Sequence, residues 1–98
     1  MSIIDDINKT FDHRVRLGIM SVLMVNEYMD FTGLKEILDV TDGNLASHAK
    51  ALEQAGYITV QKQFIGRKPN TRYIATSAGK TAFRQHLNAL EKLINRSE

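Results

Sequence analysis

The sequence predicts a mainly helical α+β domain, and three observations carry that prediction. Two short amphipathic segments are separated by a tight connection, two strand-like runs are joined by a basic turn, and apolar helical segments stand towards both ends of the chain. At 98 residues the chain has the size of one compact domain, so a single domain over 1–98 is expected. Its 43% hydrophobic and 24% charged content is that of an ordinary globular protein, and no run is both apolar and long enough to cross a bilayer.

The first element comes from Ile3, Ile4, Ile7 and Phe11 at helical spacing, which predict an arm or short helix over 3–11. Ser2 is its expected N-cap, with Asp5 and Asp6 near the positive end of the helix dipole. Val15, Leu17, Ile19, Met20, Val22, Leu23 and Met24 then predict a first core helix over 12–26, restarted at Asp12 and buried over much of its circumference. Tyr28-Met29-Asp30-Phe31 alternates and is too short for a helix, so a brief strand is expected there.

Thr32 is expected to cap a short helix with Leu34, Ile37 and Leu38 on one face. Asp39-Val40 is a tight connection, and Thr41 caps a second helix running to Ala55, with Asp42 in its first turn. That helix places Leu45, Ala49 and Leu52 on one side and stops at Gly56, a residue suited to the left-handed position past a helix end. Residues 32–55 therefore read as a helix-turn-helix.

From Tyr57 to Phe64 the period becomes two, with Ile58 and Val60 on one face and Thr59, Gln61 and Gln63 on the other. Ile65-Gly66-Arg67-Lys68-Pro69-Asn70 supplies a turn, and Thr71-Arg72-Tyr73-Ile74-Ala75 a returning strand. The hairpin spans 57–75 in an antiparallel sheet of two or three strands. Thr76 or Ser77 caps a last helix over 77–96, whose Phe83, Leu87, Leu90 and Ile94 are spaced four, three and four apart. This is the seam spacing of helices packed lengthwise on a partner.

Net charge is only +2, but the charges are unevenly placed. Between Gln54 and Leu90 the chain carries Lys62, Arg67, Lys68, Arg72, Lys80 and Arg84 and no acid, whereas the acids concentrate before Gln54. A one-signed block of this kind is the footprint of a surface that meets a polyanion.

Other chemistries find no support. Without cysteine there is no disulfide framework, thiolate metal site or thiol nucleophile. His13, His48 and His86 lie on separate elements without HxxxH spacing, so neither a metal site nor any other cofactor is expected. His48 falls at the edge of a buried helix face and is expected to be packed and hydrogen-bonded. There is no Gly-rich phosphate loop, nucleophile elbow or clustered acid pair, so catalysis is not expected. The two early acids and the lack of a basic n-region do not fit a signal peptide, and a cytoplasmic location is expected.

Helix, short strand, helix, turn, helix, hairpin, helix is the order of a winged helix-turn-helix. Asp42 to Ile58, with its helix, glycine and strand, resembles the MarR and ArsR-like winged-helix regulators, in particular their small single-domain members. The resemblance extends from His13-Arg14-Val15-Arg16-Leu17, through Gly66 to Tyr73, to Thr76-Ser77-Ala78-Gly79. It implies a transcription regulator that binds double-stranded DNA, with 41–55 in the major groove and the wing, 64–72, on the backbone or in the minor groove. The cysteine ligands typical of ArsR metal sensors are missing.

The residues agree with that implication. With Leu45, Ala49 and Leu52 inward, a 100° step per residue turns Gly43, Ser47, Lys50 and Gln54 outward, with Asn44 and Ala51 beside them. The small residues let such a helix approach base edges closely. Asn44 and Ser47 are the candidates for base hydrogen bonds, and Lys50 reaches guanine or phosphate. Arg67, Lys68 and Arg72, with Thr71, are the candidate backbone contacts of the wing.

A helix-turn-helix monomer reads a half-site, so a homodimer is expected. Ile3, Ile4, Ile7 and Phe11 near one end, with Phe83, Leu87, Leu90 and Ile94 near the other, are the candidate interface. A small-molecule effector bound between the dimer helices and the helix-turn-helix is compatible with this scheme. The alternative is a winged helix that docks on an acidic protein and never touches DNA. That role calls for large apolar anchors on the outward face, and Gly43, Asn44, Ser47 and Lys50 are not such anchors.

Overall fold

The computed structural model describes residues 3–95, and side chains from residue 4 onward. The Ser2 cap and the Ile3 contact expected above lie outside the described residues. Among the described residues, four α-helices and one three-stranded antiparallel sheet form a mainly helical winged helix measuring 59 × 25 × 21 Å.

The leading segment is not a continuous helix but two 3-10 turns, Ile3–Asp6 and Lys9–Phe11. Asn8 divides them, because its backbone N–H and side-chain amide are engaged by distant residues while its side-chain oxygen caps the second turn. Its backbone N–H donates to Nδ1 of His86 at 3.0 Å, its amide donates to the Tyr57 hydroxyl at 2.8 Å, and its Oδ1 accepts from the N–H of Thr10 at 2.9 Å. The bend drops Phe11 into the core.

Helix α1 spans Arg14–Met24, two residues later than Asp12 would place it. Its N-cap is His13, whose Nδ1 accepts from the N–H of Val15 at 3.1 Å. Strand β1 is Met29–Asp30 and helix α2 is Phe31–Leu38. Asp30, not Thr32, caps α2, its Oδ1 accepting from the N–H of Gly33 at 2.7 Å. A carboxylate is the stronger partner for an unpaired helix N–H, so the helix starts a turn's fraction earlier and Thr32 falls inside it. Asp39 closes α2 in the left-handed region, which a short polar side chain tolerates.

Helix α3 is Asp42–Gln54, with Thr41 as its cap accepting from the N–H of Asn44 at 3.2 Å. It ends where Gly56 takes a φ of 81°. Strands β2 (Ile58–Ile65) and β3 (Lys68–Ala75) follow, and the sheet order is β1-β3-β2. The turn is shorter than the six residues expected. Ile65 already pairs with Lys68, leaving Gly66-Arg67 as a two-residue turn with a φ of 64° at Gly66. Positive φ at the first position alone is the pattern of a type II′ turn, which matches the strand twist.

Helix α4 is Ser77–Ile94, and Thr76 caps it: Oγ1 accepts from the N–H of Gly79 at 2.9 Å and donates to the carbonyl of Gly56 at 2.7 Å. Gly79 lies against the backbone of Tyr57, where a Cβ would collide with the carbonyl, so α4 is seated close on the chain that leaves α3.

The core is built from Ile19, Met20 and Leu23 of α1, Leu34 of α2, Leu45 and Leu52 of α3, and Ile58 of β2. Phe11 is fully buried with them, stacked on Tyr57 at 5.2 Å and edge-on to Phe83 at 5.1 Å. Phe11 and Phe83 were both expected at an intersubunit face, and that expectation is corrected: the chain's own core takes up both rings. Ile37 departs in the opposite sense, standing in solvent beside the buried Leu34.

Candidate nucleic-acid interface

Helix α3 buries Leu45, Ala49 and Leu52, so Gly43, Asn44, Ser47 and Lys50 are all exposed on its other side, as the helical step requires. Gly43 separates what the fold needs from what the face needs. A Cβ built there would meet nothing within 4 Å, and its φ is not positive. Glycine in a helix costs about 0.5–1 kcal/mol relative to alanine, and nothing in the protein body requires that cost here. The small residue leaves room for something outside the molecule.

Three contacts fix how α3 is presented. The Nε–H of Arg16 on α1 donates to Nδ1 of His48 at 3.0 Å, and its Nη1 donates to the carbonyl of Thr10 at 3.2 Å. The His48 ring also stacks on His13, with centroids 3.8 Å apart. Burial above all, then the charges of His13 and Arg16, hold the His48 imidazole below the usual histidine range. At the helix start, Lys35 of α2 pairs with Asp42 at 2.7 Å, offsetting a carboxylate beside the outward face.

The basic residues of the wing divide by position. Arg67 and Lys68 are exposed at the tip, beside Gly66. Arg72 is not at the tip but at the root, half-buried, opposite Asp30 in register and with its guanidinium 4.1 Å from the centre of the Tyr28 ring. Thr71 is half-buried across from Lys62. Asn70 accepts from the Gln63 amide at 3.2 Å and donates to Oδ2 of Asp30 at 3.5 Å, so the residue that caps α2 also steadies the wing.

A family model described as a winged helix DNA-binding domain matches residues 15–94. The chain belongs to the winged-helix DNA-binding family. This winged helix is 36% identical over 85 residues to an uncharacterised protein of Methanocaldococcus jannaschii, an alignment covering 87% of this chain and 92% of the other. It superposes with a TM-score of 0.88 on a transcriptional regulator homologue from Pyrococcus horikoshii OT3, at 31% identity over 97% of this chain and 96% of that one. It shares its fold with a putative MarR-family transcriptional regulator from Porphyromonas gingivalis W83, with a TM-score of 0.69 at 17% identity over 91% and 86% of the two chains.

The terminal segments of this winged helix leave apolar surface uncovered. Leu87 is 44% exposed, Ile94 81% and Ile4 66%, while Ile7 and Leu90 are half-buried. No helix among the described residues is long and apolar enough to cross a membrane, and no group of three histidines, cysteines or acids is placed to hold a metal ion.

Three parts of the site escaped sequence reasoning: the Lys35–Asp42 pair, the Tyr28 platform under Arg72, and the bond from Arg16 to His48. Each joins side chains from different elements, and no local spacing signals such a contact.

Proposed function

We propose that the protein is a homodimeric repressor that recognises double-stranded DNA by sequence. Helix α3 with its caps, 41–55, enters the major groove, and the wing, 64–72, follows the backbone or the adjacent minor groove. Asn44 and Ser47 read base edges, Lys50 reaches guanine or phosphate, and Arg67 and Lys68 hold phosphates, with Thr71 and Arg72 at the wing root steadying that contact.

The observation that carries this reading is Gly43: a helical glycine with open space around it, on the exposed face of a helix that is followed in the chain by an acid-free basic hairpin. The same face offers no large apolar side chain, which a protein-docking helix needs.

Two copies related by a two-fold axis place their reading helices about 34 Å apart, one turn of DNA. The apolar residues uncovered on α4, Leu87, Leu90 and Ile94, and on the leading turns, Ile4 and Ile7, supply the contact between copies. A cleft of about 750 Å³ lies between the leading turns and α4, lined by Ile7, Lys9, Gln85, Asn88 and Lys92. A small-molecule effector seated there changes the spacing of the two reading helices through α4.

Selection of genomic fragments by the purified protein, followed by a salt titration on the recovered duplex, tests the reading. Enrichment with an affinity falling steeply as salt rises supports it. No enrichment over random DNA contradicts it.

A further inference from the structure

The wing carries an apolar feature that charge does not explain. Of the four phenylalanines, Phe11 and Phe83 are in the core and Phe31 packs against it, whereas Phe64 is 73% exposed. Ile65 beside it and Pro69 across from it are exposed too. Alternation along the strands puts Phe64 and Pro69 on the sheet face of Ile58, Val60 and Tyr73, the face α3 covers through Leu45, Ala49 and Leu52. The hairpin outruns the helices, and the end of that face is bare.

The register makes a ridge of this pair. With a two-residue turn, Ile65 and Lys68 are the hydrogen-bonded pair and Phe64 with Pro69 the non-bonded one, in which side chains approach most closely. Proline is tolerated because its missing N–H faces the side of β3 that β1 does not reach, as β1 pairs only with Tyr73 and Arg72.

Lys62 shares the face of this ridge, Arg67 stands in the turn beyond it and Lys68 at the turn on the other face, while the nearest acid, Asp30, is hydrogen-bonded to Asn70 towards the wing root. An apolar ridge with cations at the wing tip is complementary to a base step flanked by phosphates. We propose that Phe64 and Pro69 form a wedge that seats in the minor groove of duplex DNA, beside phosphates held by Arg67 and Lys68. The wedge favours a pyrimidine–purine step, which unstacks most readily. This rests on the reading that the protein binds duplex DNA.

The test uses a duplex selected from a random library by the wild-type protein, with 2-aminopurine at the pyrimidine–purine step nearest the wing. Phe64→Thr keeps the strand preference and removes the ring; Phe64→Leu keeps apolar bulk. Phe64→Thr lowers affinity about tenfold, the scale of one base–aromatic contact, and leaves the salt slope unchanged, while Phe64→Leu recovers most of the loss. Fluorescence rises on binding of the wild type and not of Phe64→Thr. Equal affinity and equal fluorescence for both proteins overturns the wedge while leaving DNA binding intact. Failure of the wild type to select any duplex overturns the DNA reading itself. Loss of self-association by Phe64→Thr in sedimentation, with DNA contacts unchanged, assigns the ridge to a second copy and overturns the wedge as well.

Discussion

The Nε–H of Arg16 donates to Nδ1 of His48 across 3.0 Å, and this bond ties the first helix to the reading helix. His13, which stacks on His48, also accepts through Nδ1, from the helix N–H of Val15. The His48 ring must be unprotonated at Nδ1 to accept its bond. A proton added there sets a donor against the Arg16 donor and a positive charge beside its guanidinium.

Stability therefore depends on pH. Burial, then His13 and Arg16, lower the affinity of His48 for a proton; burial does the same for His86, partly offset by Asp12. Native values below the ordinary one mean that the unfolded chain binds protons the folded chain refuses. Stability is complete above about pH 6.5, falls as pH drops below it, and levels only beneath the lowered native values. The melting temperature should fall between about pH 7.5 and 5.5, and less so in a His48→Gln, His86→Gln double variant. A flat profile in the wild type would show that the histidines are not coupled to folding.

Gly43 predicts a conflict between stability and binding. Gly43→Ala should raise unfolding free energy by about 0.5–1 kcal/mol in a denaturant titration, since the Cβ meets open space. The same variant should bind its selected duplex more weakly. Weaker folding, or tighter binding, would contradict the role given to this face.

The helix and the wing should fail differently. Arg67→Ala should weaken binding to all duplexes and reduce the salt slope by about one, for one phosphate contact. Asn44→Ala should relax preference at one base pair by about 1–3 kcal/mol. Matched titrations on selected and scrambled duplexes check both, and a uniform loss in Asn44→Ala would remove that residue from base readout.

Leu87→Asp and Ile94→Asp should give a folded monomer in sedimentation, because both side chains are exposed and outside the core. Persistence of the dimer in both variants would move the contact between copies off α4.

The order of elements was legible because each left a local signal: the caps Thr41 and Thr76, the stop at Gly56, and the change of period after Tyr57. The outward face of α3 followed from helix geometry alone. The leading segment was not legible, since Ile3, Ile4, Ile7 and Phe11 keep helical spacing while Asn8 breaks the helix through bonds to His86 and Tyr57, far away in sequence. The fates of Phe11 and Leu87 diverge for a similar reason. Both sit on apolar stripes, and only packing decides which the core takes. Arg72 counted with the wing cations by composition, yet its Tyr28 and Asp30 neighbours hold it at the root.

Footprinting on the selected duplex, with dimethyl sulfate for guanines in the major groove and hydroxyl radicals for the backbone, tests the central claim most directly. Two major-groove protections about 10 base pairs apart, each flanked by a protected minor groove, are predicted. A single protection, or one confined to the backbone with no guanine shielded, would contradict reading by α3 and the wing of a two-fold dimer.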